Sequence, residues 1–397
     1  MERKFFGKLR RELLNVLEDE KAWTDEEILE QIDEIVLINT RRSKLTIYEK
    51  ETIRKELFYS VRKLDILQEL LEDDQITEIM VNGYDRIFYE KKGKKYRWEK
   101  QFFSEERLLD VIQQIVGKCN RVINENSPIV DARLDDGSRV NAVISPVALN
   151  GPILTIRRFP KQPITMEKLI ENKSITQEVV QFLKKVVEAG YSILIGGGTS
   201  SGKTTFLNVL SDFIPHKERI ITIEDCAELQ IQGIDNLVRL EAKPANMEGN
   251  KEITIRDMIR TALRMAPDRI IVGEVRGPEV VDLLQAWNTG HDGSMGTAHA
   301  NSTKDMISRI ETMFLMGLEI PIEAIRMQIA SGIDLFIHLG RLLDGSRKVL
   351  EIAEVIGYVE NEVKLQTLFK WDYMEEKFIR CNELLHIEKL ERCMNGK

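Results

Sequence analysis

At 397 residues, with 57 basic against 65 acidic side chains and a net charge of −8, the chain is too long for one hydrophobic core and too acidic for bulk affinity for nucleic acid. Hydrophobic residues make up 43% and charged residues 31%, the balance of a globular protein, and no apolar run nears the roughly 18 residues of a membrane helix. Cys119, Cys226, Cys381 and Cys393 are scattered, with no C-x-x-C pair and no histidine cluster beside them, so neither a zinc site nor a disulfide framework is expected, and a reducing cytoplasm is the simplest compartment.

In chain order, residues 1–62 read as a helical extension. Phe5, Leu9, Leu13 and Leu17 recur at near-helical spacing, and residues 1–17 carry five basic and two acidic side chains. Such a stripe suits either an anionic membrane face or packing on a neighbouring helix, and the modest apolar face favours packing.

From 63 to 160 the texture is that of a small α/β domain. ITEIMVNG and RIFYEKKGKKYRW read as short strands, a helix follows near Glu105 to Gly117, and ARLDDGSRVNAVIS and PILTIRRF read as further strands around the turn Asp136-Gly137. The octet RLDDGSRV returns as RLLDGSRKV at 341–349, which reads as one hairpin turn chemistry used twice. Two prolines in FPKQPITMEKL mark 161–176 as a linker. Beyond it, over 177–397, helices and strands alternate, which implies a parallel sheet with crossover helices. DLFIHL, KVLEIAEVIGYV and EVKLQTLFKW at the end read as antiparallel strands.

The run GGGTSSGKTT, directly after the apolar YSILI and before FLNVLSDF, satisfies G-x-x-x-x-G-K-[ST] through Gly197, Gly202, Lys203 and Thr204. Residues without bulky side chains let backbone N–H groups turn towards phosphate oxygens. The following helix adds its positive end, Lys203 reaches the outer phosphates, and the Thr204 hydroxyl can ligate Mg²⁺. The loop residues Gly198, Thr199, Ser200 and Ser201, and Thr205 beyond them, belong to the same cradle.

Water activation beside a phosphate calls for acids at the carboxyl ends of nearby strands. RIITIEDCAEL offers Glu224, Asp225 and Glu228, and RIIVGEVRG offers Glu274. Such carboxylates either orient water and the metal's water shell or serve as caps after strands, and Glu274, directly behind three apolar residues and a glycine, is the strongest candidate for the first role. In TGHDGSMGTAHANS, His291 and His299 flank small residues and suggest a sensor of the γ-phosphate or of a neighbouring subunit. Arg133, Arg139, Arg157 and Arg158 cluster near strand ends of the smaller domain and can offer charge to a phosphate. Arg256, Arg260 and Arg264 make one basic helix face suited to a subunit contact or to solvent.

The ordered set GGGTSSGKTT, ITIEDCAEL, LRMAPDRIIVGEVRG and TGHDGSMGTAHANS resembles the secretion ATPase superfamily of type II secretion, type IV pili and type IV secretion. ITEIMVNG, SPIVDARLDDGSRVNAVISPVALNGPILTIRRF and LLQAWNTGHDGS look most like its CpaF/TadA branch, associated with tight-adherence (Flp) pili. The resemblance implies a PAS-like N-terminal domain, a RecA-like P-loop ATPase domain, ATP with Mg²⁺ bound, and a homo-hexamer. Such a ring would be cytoplasmic and peripheral at the inner face of the cell membrane, working on polytopic inner-membrane platform proteins of a pilus or secretion system. The acidic charge argues against nucleic acid as a partner and the missing cysteine cluster against zinc; a conjugative transfer ATPase and a nucleotide-gated adaptor with little turnover stand as alternatives.

By the same resemblance Lys203 and Thr204 belong to the Walker A motif, and Glu274 to a Walker B motif with Glu where many relatives of the fold use Asp. Glu224, Asp225 and Glu228 fall in the Asp box and His291 and His299 in the His box, while Arg139 and Arg157 match arginines that reach the phosphates. Glu274, Glu228, Lys203 and His299 are thus expected to be catalytic, and the rest of the set to bind the nucleotide. The loop PANMEGNKE has no assignment.

Overall fold

A computed structural model describes residues 3–17, 22–41, 45–119, 121–159, 163–243 and 252–395. The chain divides into two compact units, Met1–Gln162 and Pro163–Lys397.

The first unit opens with three helices, α1 (Arg3–Leu17), α2 (Asp25–Thr40) and α3 (Ile47–Arg62). Thr24 and Thr46 start α2 and α3 with reciprocal capping boxes to Glu27 and Glu49. The apolar stripe of α1 packs on its neighbours: Leu9 and Leu13 are fully buried against Ile28 and Ile32 of α2 and Ile53 and Leu57 of α3. Burial of each such side chain contributes about 1.5–3 kcal/mol.

A short helix, α4 (Leu67–Glu72), leads into β1 (Ile76–Asn82), β2 (Ile87–Lys91), β3 (Lys94–Arg97), α5 (Glu105–Lys118), β4 (Ile129–Arg133), β5 (Arg139–Val143) and β6 (Ile153–Arg157). The strands form one antiparallel sheet in the order β3-β2-β1-β6-β5-β4. Period-two alternation buries Ile79, Val81, Val140, Ala142, Leu154 and Ile156 against Leu108, Val111 and Ile112 of α5. The opposite face carries polar residues. There Arg133 pairs with Arg139, Arg139 with Arg157 and Arg157 with Glu78, so three arginines stand in one cross-strand row ending on a carboxylate. Arg158, one residue on, points the other way and is spent on the Asp73 carbonyl and Asp74.

The second unit contains α6 (Met166–Glu171), α7 (Gln177–Glu188), β7 (Ile193–Gly197), α8 (Lys203–Ser211), β8 (Ile220–Glu224), β9 (Leu237–Glu241), α9 (Ile255–Ala262), β10 (Arg269–Val275), α10 (Glu279–Trp287) and β11 (Met295–Ala298). Then come α11 (Thr303–Leu315), α12 (Ile322–Gly332), β12 (Leu335–Arg341), β13 (Arg347–Val359), β14 (Glu362–Asp372), β15 (Lys377–Arg380) and α13 (Glu388–Asn395). One nine-stranded sheet runs β15-β14-β13-β12-β7-β11-β10-β8-β9. The six strands from β12 to β9 are parallel and β13 to β15 extend them antiparallel. Both faces of the central parallel strands β7, β8, β10 and β11 are covered, so these strands are buried almost along their whole length, whereas the edge strand β9 is not. Leu194, Ile221, Ile270 and Val272 enter one core, and Ile193, Ile195, Ile220 and Ile271 enter the other.

Three sequence expectations meet particular outcomes here. The stretch read as a linker contains α6, capped by Thr165, and buries Met166 and Ile175 in the core of the second unit; residues 160–162 lie outside the described residues. The basic face of α9 is partly consumed within the chain, because Asp282 of α10, 5% exposed, needs cations and takes Arg256 at 2.5 Å and Arg260 at 2.7 Å. The repeated octet makes the same hairpin twice. Leu134 N–H donates to Ser138 O and Leu342 N–H to Ser346 O, Gly137 and Gly345 take φ of 86° and 85°, and Arg133 and Arg341 both donate Nε–H to the glycine carbonyl. Of PANMEGNKE, residues 244–251 lie outside the described residues.

Candidate functional site

The site assembles at the carboxyl end of the parallel strands, where a doubly covered α/β sheet is open to a ligand. β7 ends in Gly196 and Gly197, and neither tolerates a side chain: a Cβ on Gly196 would meet Met306 Sδ of α11 at 2.5 Å, and one on Gly197 would meet Ser201 Oγ at 2.5 Å and Leu339 O of β12 at 2.6 Å. The chain then turns through Ser200 (φ 59°) and Gly202 (φ 95°) into α8. No side chain caps α8, unlike the threonine- and serine-capped α2, α3, α5, α6, α7, α9 and α11, so the amides of its first turn, from Lys203 to Thr205, face outward without an intrahelical acceptor.

Lys203 is 8% exposed, and its Nζ donates to the carbonyls of Gly197 (3.1 Å) and Gly198 (3.2 Å) and approaches His299 Nδ1 at 3.3 Å. An ammonium can only donate, so Nδ1 accepts and the ring proton sits on Nε2. Nε2 in turn lies 2.8 Å from Glu274 Oε1, a close contact off the N–H axis that makes no hydrogen bond, while Glu274 Oε2 accepts from Arg276 Nη2 at 2.9 Å. Lys203, His299, Glu274 and Arg276 therefore form one chain of contacts along the ends of β7, β11 and β10.

The electrostatics fix the protonation states. Burial pushes the Glu274 carboxyl up, but the Arg276 hydrogen bond and the permanent charges of Arg276 and Lys203 outweigh it and hold it below its ordinary value. Burial and then the Lys203 charge push His299 below the usual histidine value, against the pull of Glu274. Glu274 is thus ionised and His299 neutral at neutral pH.

The Asp-box residues divide by role. Glu224, 3% exposed, accepts the N–H groups of Glu228 (2.9 Å) and Leu229 (3.0 Å), closing the loop after β8; burial raises its pKa, partly opposed by those two bonds. Gly273 makes room for it, since a Cβ there would meet Glu224 Cγ at 2.8 Å. That explains the glycine before Glu274. Asp225 lies 3.7 Å from Arg276, and Glu228 contributes to the same field on Arg276.

Two placements correct or extend the sequence reading. His291 was grouped with the nucleotide-binding residues, yet it precedes β11 while His299 follows it. It sits at the amino end of the strand, bonded to Ala286 O at 3.1 Å, at the opposite end of the parallel strands from the phosphate loop. Arg276 and Arg347 were not singled out. Arg276 stands two residues past Glu274 at a strand end, a spacing that puts both on one side. Arg347, at the start of β13, donates Nε–H to Ser200 O at 2.9 Å and so holds the phosphate loop from the antiparallel extension.

The residues fit a nucleotide and its metal. Glu274 Oε1, Glu224 Oε2 and Ser201 Oγ are buried without a hydrogen bond, which marks a place where a polar ligand is expected. With them stand the uncapped α8 amides, the Lys203 ammonium and the Thr204 hydroxyl. Among the described residues no group of three His, Cys, Asp or Glu side chains forms a metal cage, so a divalent ion here would rest on Thr204 and on ligand oxygens. Arg139 and Arg157 belong to the first unit, in the arginine row of its sheet.

Comparison with known proteins gives this arrangement its relatives. An uncharacterised protein of Methanocaldococcus jannaschii is 41% identical over 274 residues, 67% of this chain, which spans 38% of that protein's length. A putative conjugal transfer protein of Mycobacterium tuberculosis is 34% identical over 313 residues, covering 77% of this chain and 88% of the relative. The ATPase DotB of Legionella pneumophila, 23% identical over 72% of this chain and 78% of its own, has the same fold at a TM-score of 0.52, in keeping with the expected RecA-like P-loop architecture. The family model of the type II/IV secretion system proteins matches residues 61–380, and the chain belongs to that family.

Proposed function

We propose that this protein is an ATP hydrolase whose turnover drives the assembly of a type IV pilus of the tight-adherence (Flp, CpaF/TadA) kind, or protein secretion, through an inner-membrane platform. It acts as a homo-hexamer in the cytoplasm, peripheral to the membrane. The observation that carries this reading is the contact chain from Lys203 through His299 to Glu274, which ends on a half-buried, ionised carboxylate whose buried Oε1 has no hydrogen bond.

In this reading Lys203 and the first amides of α8 hold the outer phosphates of ATP, and Thr204 Oγ1 holds Mg²⁺. When bound, the ion neutralises charge on the phosphate oxygens. Glu274 aligns the attacking water through its unbonded oxygen, and Arg276 keeps that carboxylate ionised and aimed. His299 reports occupancy, because it touches both the phosphate-binding lysine and the water-orienting acid. Glu228 contributes to the field on Arg276, and Glu224 holds the loop that carries Asp225 and Glu228. Arg139 and Arg157 supply further positive charge to the phosphates.

Phosphate release by the purified protein tests the reading. Lys203→Ala and Glu274→Gln are expected to abolish it, the first with loss of nucleotide binding and the second with binding retained. Turnover that survives either change refutes the assignment. A second reading, an ATPase of conjugative transfer, draws support from the mycobacterial relative's name; hydrolysis stimulated by DNA but not by membrane partners would favour it.

A further inference from the structure

A cavity of about 510 Å³ lies inside the first unit, where α1 and α3 meet the chain leading into α5. One wall comes from helices that precede the family match at residue 61, so the cavity exists only because the added helices are joined to the shared domain. Its volume is in the range of small-molecule sites, about 300–1,000 Å³.

The lining combines aromatic surface with charge. Phe6, Tyr59 and Phe103 supply the aromatic surface; Phe103 lies across Gly7 of α1, its ring 3.4 Å from where a Cβ would stand, and is half exposed. Most of the charges are already matched. Lys100 holds Glu56 at 2.9 Å and Glu69 at 2.6 Å, and Arg107 holds Asp65 at 2.5 Å and donates to Ser60 O, with Asp110 at 3.5 Å.

Arg10 is different. Its Nε–H is buried without an acceptor, and no carboxylate among the described residues stands within ion-pair distance of it. Burial, and after it the charge of Arg107, holds its guanidinium below the ordinary arginine value, with Asp65 and Asp110 only partly opposing this. A desolvated guanidinium donor beside a second guanidinium whose acids are taken is the arrangement an incoming oxyanion satisfies. Glu99 and Glu106 also line the cavity and disfavour a heavily charged ligand such as a polyphosphate.

We propose that this cavity is a binding site for a small organic anion, its single carboxylate or phosphate taken by Arg10 beside Arg107 and its apolar body resting against Phe6 and Phe103. The site is separate from the phosphate loop at Lys203 and does not depend on hydrolysis there.

Ligand-observed saturation-transfer NMR on the full chain tests this, with Mg²⁺-ADP added at saturation to fill the loop at Lys203. The probes are phenyl phosphate and phenylacetate, which decide between the two oxyanions. At least one is expected to bind, with affinity about tenfold lower in Arg10→Gln and less reduced in Arg10→Lys, while ADP affinity is unchanged in both. Phe103→Ala, which alters a half-exposed ring, is expected to weaken the same probe and decides the matter if Arg10→Gln melts abnormally. Binding of neither probe, equal binding by Arg10→Gln and Phe103→Ala, or loss of the signal on adding ADP overturns the proposal.

Discussion

At the amino end of the nine-stranded sheet the buried charges have partners inside the chain, whereas at the carboxyl end three buried oxygens have none. Arg269 grips Glu218 with two nitrogens and donates to Val187 O; Lys389 of α13 bonds Asp334 at 2.7 Å, Asp292 at 2.8 Å and Gly190 O at 3.2 Å. Glu354, 1% exposed, accepts the N–H groups of Leu385 (2.9 Å) and His386 (2.7 Å), and the Tyr191 hydroxyl, its pKa pushed up to about 12 by burial, donates to His386 O. The carboxyl end leaves Glu274 Oε1, Glu224 Oε2 and Ser201 Oγ unbonded. The same strands supply both ends, so strand chemistry does not explain the difference. One end is closed by the chain's own last helix, and the other is arranged for something the chain does not contain.

The comparison is broken most directly at the open end. Lys203→Ala and Glu274→Gln should each reduce phosphate release by about a hundredfold or more, as removal of groups aimed at developing charge does, while leaving the thermal melt close to wild type. Glu354→Ala is the counterpart at the closed end. It strips two main-chain amides of their acceptor, a loss of about 1–3 kcal/mol, and should lower the melting temperature by several degrees while turnover of the folded protein stays the same. If Glu354→Ala reduced turnover of fully folded protein, the closed end would have to be counted as part of the working site.

The neutral His299 gives a sharper test, because its pKa direction fixes a sign. Being lowered, it stays unprotonated down through the ordinary histidine value of about 6.5. Only below that does a proton arrive, placing a second positive charge 3.3 Å from Lys203 Nζ and removing the acceptor at Nδ1. Turnover should therefore be level from pH 8 to about 7 and fall on the acid side. In His299→Gln, which cannot titrate, the acid limb should shift to lower pH and the plateau should drop about tenfold. An unchanged acid limb in that variant would assign the titration to another group.

Much of this site is legible in the sequence, and what is not has physical reasons. The cradle is local: a strand, seven residues and a helix start suffice to identify Gly197 to Thr205, and the acid at the end of an apolar run identifies Glu274. His299 is equally local, one residue past its strand. His291 misleads because its motif neighbours are small residues that form β11 itself, and a four-residue strand separates the two histidines to its amino and carboxyl ends. Arg276 was within reach, by the two-residue period from Glu274. The pairing of Arg256 and Arg260 with Asp282 was not, since it depends on how α9 packs on α10. In the first unit the alternating strands are readable, but the row Arg133, Arg139 and Arg157 needs strand register, which no single strand encodes.

Arg347 is the least legible of the site's neighbours, and its effect should be the smallest. It begins the return strand of the β12–β13 hairpin, and only because β12 lies beside β7 does its guanidinium come over the loop to Ser200 O. Ser200 is a non-glycine residue at φ 59°, a conformation that costs about 1 kcal/mol and persists only where the surroundings impose it. Removing Arg347 frees that carbonyl and loosens the loop before a ligand arrives, so the ordering falls on the binding step and not on the chemistry. Arg347→Ala should accordingly raise the dissociation constant for ADP and the KM for ATP about three- to tenfold, the worth of one charge-assisted hydrogen bond at an exposed site, with kcat close to wild type. Arg347→Lys, which keeps the charge but loses the Nε donor, should fall between the two. A drop in kcat at unchanged KM would instead move Arg347 from loop positioning into the reaction itself.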